Sequence, residues 1–215
     1  MPRHDPSEKT KAEILLTAVR LFSEKGWENV NVEDVVKEVG VTRGAFYHYF
    51  KSREELIIAV VDKNFSENNP FTAASKKKGL NAIEKLRFAL RMNLVTNYNN
   101  DSMTRELYKA VQSPAIFKSE FISQLSTVAP SVEKLLIEGN EDGSMSVDYP
   151  KQTAQVLALL PSQWLSYELF QITYEEFVNR VLFLAQFMEK LGVPVFNDEL
   201  KELAFECYKK VRKKT

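Results

Sequence analysis

The chain has a single cysteine, Cys207, among 215 residues, so it can build neither an internal disulfide framework nor a thiolate metal cluster. It has two histidines, His4 and His48, and no H-E-x-x-H, no G-x-S-x-G and no Gly-rich phosphate loop. The common hydrolytic and phosphoryl-transfer chemistries therefore lack their parts. Acid pairs such as Glu54–Glu55 and Glu175–Glu176 stand where helices start and are explained by that position. With seven glycines and eight prolines, the sequence favours long helices with few turns. No apolar run approaches the roughly 18 residues of a membrane span, and the N-terminus lacks the apolar core of a signal peptide. A cytoplasmic protein with no membrane partner and no cofactor is the expectation. Net charge is zero, with 29 basic and 29 acidic residues.

The stretch NVEDVVKEVGVTRGAFYHYFKSREEL, Asn31 to Leu56, is where local signals concentrate. Asn31 fits an N-cap, with Asp34 three residues on reaching back to the cap amide and Val30 and Val35 at the staple positions. Val32, Val35, Val36 and Val39 share one helical face, and Gly40 fits the left-handed residue that ends the helix. Thr42 caps a second helix opened by Gly44 and Ala45, and Ser52 with Glu55 starts a third. Two short helices joined around a glycine form a helix-turn-helix. Phe46 and Phe50 are spaced to pack on the valines. That leaves Thr42, Arg43, Gly44, Ala45, Tyr47 and His48 facing away from the core, small residues first and hydrogen-bonding groups after them, as a DNA-reading helix requires. A helical corner of an ordinary all-α protein is the competing reading on spacing alone. Charge does not decide the matter: residues 1–63 hold 10 Lys/Arg and 11 Asp/Glu, without the bulk basic footprint of many DNA binders.

Flanking segments read as helices throughout. Asp5 and Pro6 open one that runs to about Lys25, with Gly26 ending it and Trp27 packing across the turn. The helix from Ser52 runs to about Glu67, where NNPFTAASKKKG breaks the pattern and its lysines read as a solvated loop; the domain boundary is placed near residue 64. Beyond it, Leu80, Ile83, Leu86, Leu90 and Leu94 mark a helix to Tyr98. Met103, Leu107, Tyr108 and Val111 mark a short one, and Phe117 to Leu125 another, interrupted at Pro130 and ended by Gly139. A loop, GNEDGSMSVDYP, leads to a helix from Pro150 to Phe170, kinked at Pro161. Thr173 with Glu176 boxes a helix to Leu191, and Asn197 caps the last. The expectation is an all-α protein with an N-terminal three-helix DNA-binding domain at 1–63 and a helical domain at 64–215.

Eighteen of the 24 aromatic residues lie beyond residue 63. Phe88, Met92, Tyr98, Tyr108, Phe117, Phe121, Trp164 and Tyr167 are candidates to line an apolar ligand site, since pockets combine apolar walls with a few placed polar groups. Core packing is the alternative for any one of them. Arg91 or Arg105 is available for an anionic group. The helices at 150–170 and 174–191 are apolar over more than one stripe, which calls for deep burial or a partner. Val156, Leu160, Phe177, Val181, Leu184 and Met188 are the candidate dimer face.

The run GVTRGAFYHYFKSREEL, with AVRLFSEKGWENVNVEDV upstream, resembles the N-terminal domain of the TetR family of bacterial transcriptional regulators over roughly residues 10 to 62. Gly40, Val41, Thr42, Arg43, Gly44, Ala45, Tyr47, His48, Tyr49, Phe50, Lys51, Ser52, Arg53, Glu55 and Leu56 match the family pattern. Val36 and Val39 stand where alanine is more usual and Asn31 where threonine is, and both keep the physical role. The resemblance implies that Asn31, Thr42, Arg43, Gly44, Ala45, Tyr47, His48, Lys51 and Arg53 face DNA. It also implies a homodimer on a double-stranded palindromic operator, with the last two long helices pairing across a two-fold axis. A ligand-responsive regulator, most often a repressor released by a small hydrophobic or aromatic effector, is the function implied. A ligand-independent architectural or division-linked DNA-binding protein on the same fold is the alternative.

Overall fold

Every regular element is helical in the computed structural model, which describes residues 6–67, 69–98 and 113–212. Contacts divide these into two units, the first drawn from Met1–Glu67 and Asp101–Glu120, the second from Asn68–Asn100 and Phe121–Thr215.

In the first unit, α1 (Pro6–Lys25) packs on α2 (Val32–Val39) and α4 (Arg53–Glu67), while α3 (Arg43–Tyr49) packs on α2. The i, i+3, i+4 spacing of Ile14, Ala18, Leu21 and Phe22 turns one face of α1 inward, and all four are buried. They meet Val32, Val35 and Val36 of α2, Phe46 and Phe50 at α3, and Leu56, Ile57 and Val60 of α4. Ile116, early in α7 (Pro114–Ser123), joins the same core.

The second unit is built on α6 (Ala82–Tyr98), which packs on α5 (Pro70–Ser75), on α8 (Ala129–Asp142) and on α12 (Asp198–Arg212). Helix α9 (Pro150–Leu159) lies along α8, and α11 (Tyr174–Lys190) along α12. Thr173 caps α11 by accepting from the Glu176 amide at 3.2 Å, but the Glu176 carboxylate turns to Arg180 at 2.8 Å, so the reciprocal half of the expected box is missing. Asn197 caps α12 through the Leu200 amide at 3.0 Å.

Two expected boundaries move. Helix α8 continues through Gly139 and ends at Gly143, whose φ of 77° is the left-handed turn. Gly139 is instead a packing residue: a Cβ there would lie 2.1 Å from Met145 Cε. The helix from Pro150 is not one kinked rod. A π-helical turn, Leu160–Trp164, holds Pro161, and the chain breaks before the short α10 (Tyr167–Phe170). A second π turn, Gln124–Val128, precedes Pro130 near the start of α8. Proline removes an amide donor and crowds the carbonyl four residues back, and a wider turn relieves both. The helix expected around Met103 to Val111 lies outside the described residues.

The α8–α9 connection is tied to the start of α6 through one carboxylate. Asp142 accepts from the Ala82 amide at 2.8 Å and the Ser144 amide at 2.9 Å. A hydrogen bond from the Ser144 side chain, then the Ala82 and Ser144 amides, hold this carboxyl below the usual aspartate range. A depressed carboxylate stabilises the fold above its unfolded-state pKa, about 4, and that contribution is lost as pH falls through the lower folded value. Asp142→Asn should therefore lower the urea midpoint at pH 7, with the gap to the parent chain closing as the pH drops below 4. A gap that persists unchanged at pH 2 to 3 would show that the ionised form carries none of the effect.

Candidate nucleic-acid interface

The local chemistry of the helix-turn-helix follows from contacts three and four residues apart. Asn31 Oδ1 accepts from the Asp34 amide and Asp34 Oδ2 accepts from the Asn31 amide, each at 2.9 Å, completing the capping box. Helix α2 ends at Gly40 with φ 77°, and the amides of Gly40 and Val41 both return to the Val36 carbonyl, at 3.0 and 3.1 Å. Thr42 Oγ1 then accepts from the Ala45 amide at 3.1 Å and starts α3. Phe46 and Phe50 are 0% and 1% exposed, which fixes the roll of α3 about its axis. The opposite face is open: Thr42, Arg43, Gly44, Tyr47 and His48 are exposed and Ala45 is half-buried.

Gly44 has no packing reason to be glycine. A Cβ built there meets only Thr42 Oγ1, at 3.8 Å. Its Ramachandran position makes no demand either, since it is absent from the glycines of positive φ. Its smallness gives room to something approaching the helix start from outside.

Arg43 Nη2 pairs with Glu33 Oε1 of α2 at 2.8 Å. Lys51 is exposed, and its backbone amide donates to Glu55 Oε2 at 2.7 Å while Ser52 Oγ accepts from the Glu55 amide at 3.1 Å. Arg53 is placed differently from the expectation that it faces DNA. Its Nε donates to the Val30 carbonyl at 2.7 Å, its Nη2 donates to the Trp27 carbonyl, and its guanidinium lies 5.1 Å over the Trp27 ring. It clamps the start of α4 to the turn Trp27–Asn29, adding a second donor to the Trp27 carbonyl, which already accepts from the Val30 amide at 3.4 Å, and a side-chain donor to the Val30 carbonyl just past the turn. Sequence spacing could not reveal partners 23 and 26 residues upstream.

The second-unit candidates do not form one described cluster. Phe88 is half-buried under Lys77, 4.8 Å from its ring, while Met92 and Phe121 are 37% and 40% exposed. Trp164 packs edge-on against Phe183 at 5.7 Å, with the Arg180 guanidinium 5.0 Å from its ring. Phe117 belongs to the segment grouped with the first unit. Tyr98 and Tyr167 end and begin helices whose side chains there are not described, and Tyr108 and Arg105 lie outside the described residues. Arg91 pairs with Glu199. A groove of about 320 Å³ lies along Leu182, Gln186, Glu189, Phe196 and Lys201, and none of the eight ligand candidates lines it. Among the described residues no three His, Cys, Asp or Glu side chains gather as metal ligands.

Four of the six dimer candidates are corrected by burial. Phe177, Val181, Leu184 and Met188 are at most 1% exposed inside their own chain. Phe177, Val181 and Leu184 share a core with Ala204 and Tyr208 of α12, where Phe177 stacks on Tyr208 with ring centroids 4.6 Å apart. Val156 and Leu160 are half-buried, and the large apolar side chains left open on α11 are Leu182 and Phe183, 41% and 55% exposed.

Residues 14–60 match the family model for bacterial regulatory proteins of the tetR family. The HTH-type transcriptional repressor AcnR of Corynebacterium glutamicum is 26% identical over 146 residues, 68% of this chain and 74% of that protein. The HTH-type regulator YuxN of Bacillus subtilis is 33% identical over 93 residues, 43% of this chain and 30% of YuxN, so this chain spans less than a third of that relative's length. The crystal structure of RolR with its ligand resorcinol superposes with a TM-score of 0.62 at 21% identity, covering 92% of this chain and 94% of that one, a likeness of fold. Among the described residues no helix is long and apolar enough to cross a membrane.

Two arginines ten residues apart should separate by assay. Arg53→Ala removes the side-chain donor of the Val30 carbonyl and the second donor of the Trp27 carbonyl, and should cost about 1–3 kcal/mol of stability in the first unit. Arg43→Ala, at an exposed pair, should change the melting temperature little. Thermal melts followed by circular dichroism on both variants give the comparison, and equal losses would refute the clamp.

Proposed function

Because this chain belongs to the TetR family of bacterial regulators, a family of transcription factors and not of enzymes, we propose that it is a dimeric repressor released from a palindromic operator by a small apolar effector. The observation that carries the DNA half is the open face of α3. Phe46 and Phe50 are buried on one side, and on the other Thr42, Arg43, Gly44, Tyr47 and His48 stand exposed beside Lys51. In this reading Arg43 reaches a base edge, and Tyr47, His48 and Lys51 hold phosphates. Gly44 and Ala45 let the backbone come close. Thr42 and Asn31 spend their side-chain oxygens on caps and fix the register of both helices.

The regulatory half rests on the second unit and on analogy. AcnR carries the name repressor and RolR binds resorcinol, a small aromatic compound. Apolar effectors of that kind suit Phe88, Met92, Phe121 and Trp164 as wall residues, with Tyr98, Tyr108 and Tyr167 as hydrogen-bonding groups. To release DNA, the effector has to bind a DNA-incompetent conformation more tightly than the competent one. Helix α7 carries residues of both units and, with α4, is the proposed lever.

The proposed dimer face comprises Leu182 and Phe183 of α11 with Val156 and Leu160. A two-fold dimer reads two half-sites about one helical turn of DNA apart, or a multiple of that. Phe183→Glu places a charge on an exposed aromatic without touching the buried stripe. It should shift sedimentation toward monomer and remove tight operator binding together; a monomer that still binds its operator tightly would sink the dimer reading.

Gly44→Ala tests the DNA face with the fold held constant. The added methyl fits the unbound chain, so the melting temperature should hold or rise slightly, since alanine is the better helix former by about 1 kcal/mol. Operator affinity should fall roughly tenfold if the backbone approaches DNA there, a loss of about 1.4 kcal/mol. Unchanged affinity in a gel-shift titration would move the contact elsewhere.

A further inference from the structure

We infer that Glu33 is a specificity-determining residue of the DNA-binding face, holding Arg43 in a pair that a base edge can share and a phosphate cannot. The inference rests on the proposal that α3 reads DNA. The two side chains meet at 2.8 Å across the α2–α3 turn and remain 53% and 64% exposed, so the pair sits on the reading surface and not in the core. The other ion pairs described in the first unit, Lys9–Glu13, Arg20–Glu24, Arg20–Glu38 and Lys63–Glu67, involve α1, α2 and α4 only.

Helix capping does not require Glu33. The start of α2 is already closed by the reciprocal Asn31–Asp34 box, and Asp34 already supplies an acid to the first turn. What Glu33 does is set a carboxylate within a few ångströms of whatever Arg43 touches. A guanidinium has five donors in a rigid fork, so one edge can stay on Glu33 while another meets an acceptor. If that acceptor is O6 or N7 of guanine, the carboxylate faces a neutral base. If it is a backbone phosphate, the carboxylate faces a second anion and either repels it or has to release Arg43 first. Glu33 therefore penalises non-specific backbone binding more than binding at a site with guanine under Arg43. This also gives sense to an N-terminal domain with no net positive charge, because 11 acids against 10 bases lower its general attraction to DNA.

The test uses the full chain. Selection from a random duplex pool with the unaltered protein supplies an operator, and a scrambled duplex of equal length serves as the non-specific ligand. Fluorescence anisotropy at several salt concentrations is then read for the parent chain, E33Q, R43A and E33Q/R43A, with thermal melts as the fold control. E33Q should tighten binding to the scrambled duplex about fivefold, the scale of one exposed charge pair, with operator affinity moving by about twofold or less. The specificity ratio falls accordingly. In the R43A background the same substitution should recover less than half of that gain. Equal gains on both duplexes, an equal gain without Arg43, or no change at all would overturn the inference and reduce Glu33 to bulk charge. In those outcomes the parent chain still selects an operator, so the DNA-binding reading stands. A parent chain that enriches no duplex removes that reading, and this inference with it.

Discussion

The burial of two phenylalanines four residues apart governs the first unit. Phe46 and Phe50 lie under the valines of α2 and beside Phe22 and Leu21 of α1, in a core whose members are almost wholly removed from water. Burying a side chain of this size is worth about 1.5–3 kcal/mol, more than a surface pair or a single cap supplies. A seven-residue helix such as α3 has no independent stability. It exists because these two rings anchor it, and the rings also decide which side chains it offers to solvent. Recognition surface and core are thus two faces of one short element, and a core substitution at Phe46 would rotate or melt the surface without touching it.

The second unit is governed by the stripe on α11. Phe177, Val181 and Leu184 fill the space against α12, where Tyr208 stacks on Phe177 and donates its hydroxyl to the Ile172 carbonyl. A buried tyrosine needs that partner for its polar end. Once this face is used internally, any apolar residue remaining on α11 has to find other company. Phe183 finds part of it in Trp164 at its edge and in Phe187, stacked at 5.9 Å. Arg180 completes the arrangement, stacked on Trp164 and Phe170 while donating to the Trp164 carbonyl at 2.6 Å.

What the sequence made legible, and what it did not, divides by range. The Asn31–Asp34 box, the Gly40 stop, the Thr42 cap and the inward spacing of Phe46 and Phe50 all involve neighbours within about one turn, where residue type nearly dictates geometry. Arg53 matches a DNA-facing pattern in the sequence, yet it is spent on carbonyls of a preceding turn, which only the tertiary fold brings near. The apolarity of α11 is evident by periodicity, but periodicity does not say whether a stripe meets its own chain or another. That is why Phe177, Val181, Leu184 and Met188 read as an interface and prove to be core. Gly139 shows the same limit: glycine suggests a helix end until Met145 is seen pressed against it. Glu33 carried no signal of its own beyond its place in an acidic first turn.

The two π turns bear on how such a chain can diverge. An α-helix advances about 100° per residue, and a π turn is an α turn with one residue too many. Gln124–Val128 is such an insertion absorbed without breaking the helix, whereas the helix stops directly after Leu160–Trp164. The residues of the wider turn each advance less than about 100°, so the turn sweeps about the angle of an α turn and the flanking faces keep their register. Losing one residue from Gln124–Val128 would restore plain helix and leave Ser123 before it and Ala129 after it facing as they do now. Insertion and loss at this point are therefore steps a chain can take without re-aiming the side-chain faces on either side. What changes with the count is the local widening itself, and with it which side chain stands at the bulge.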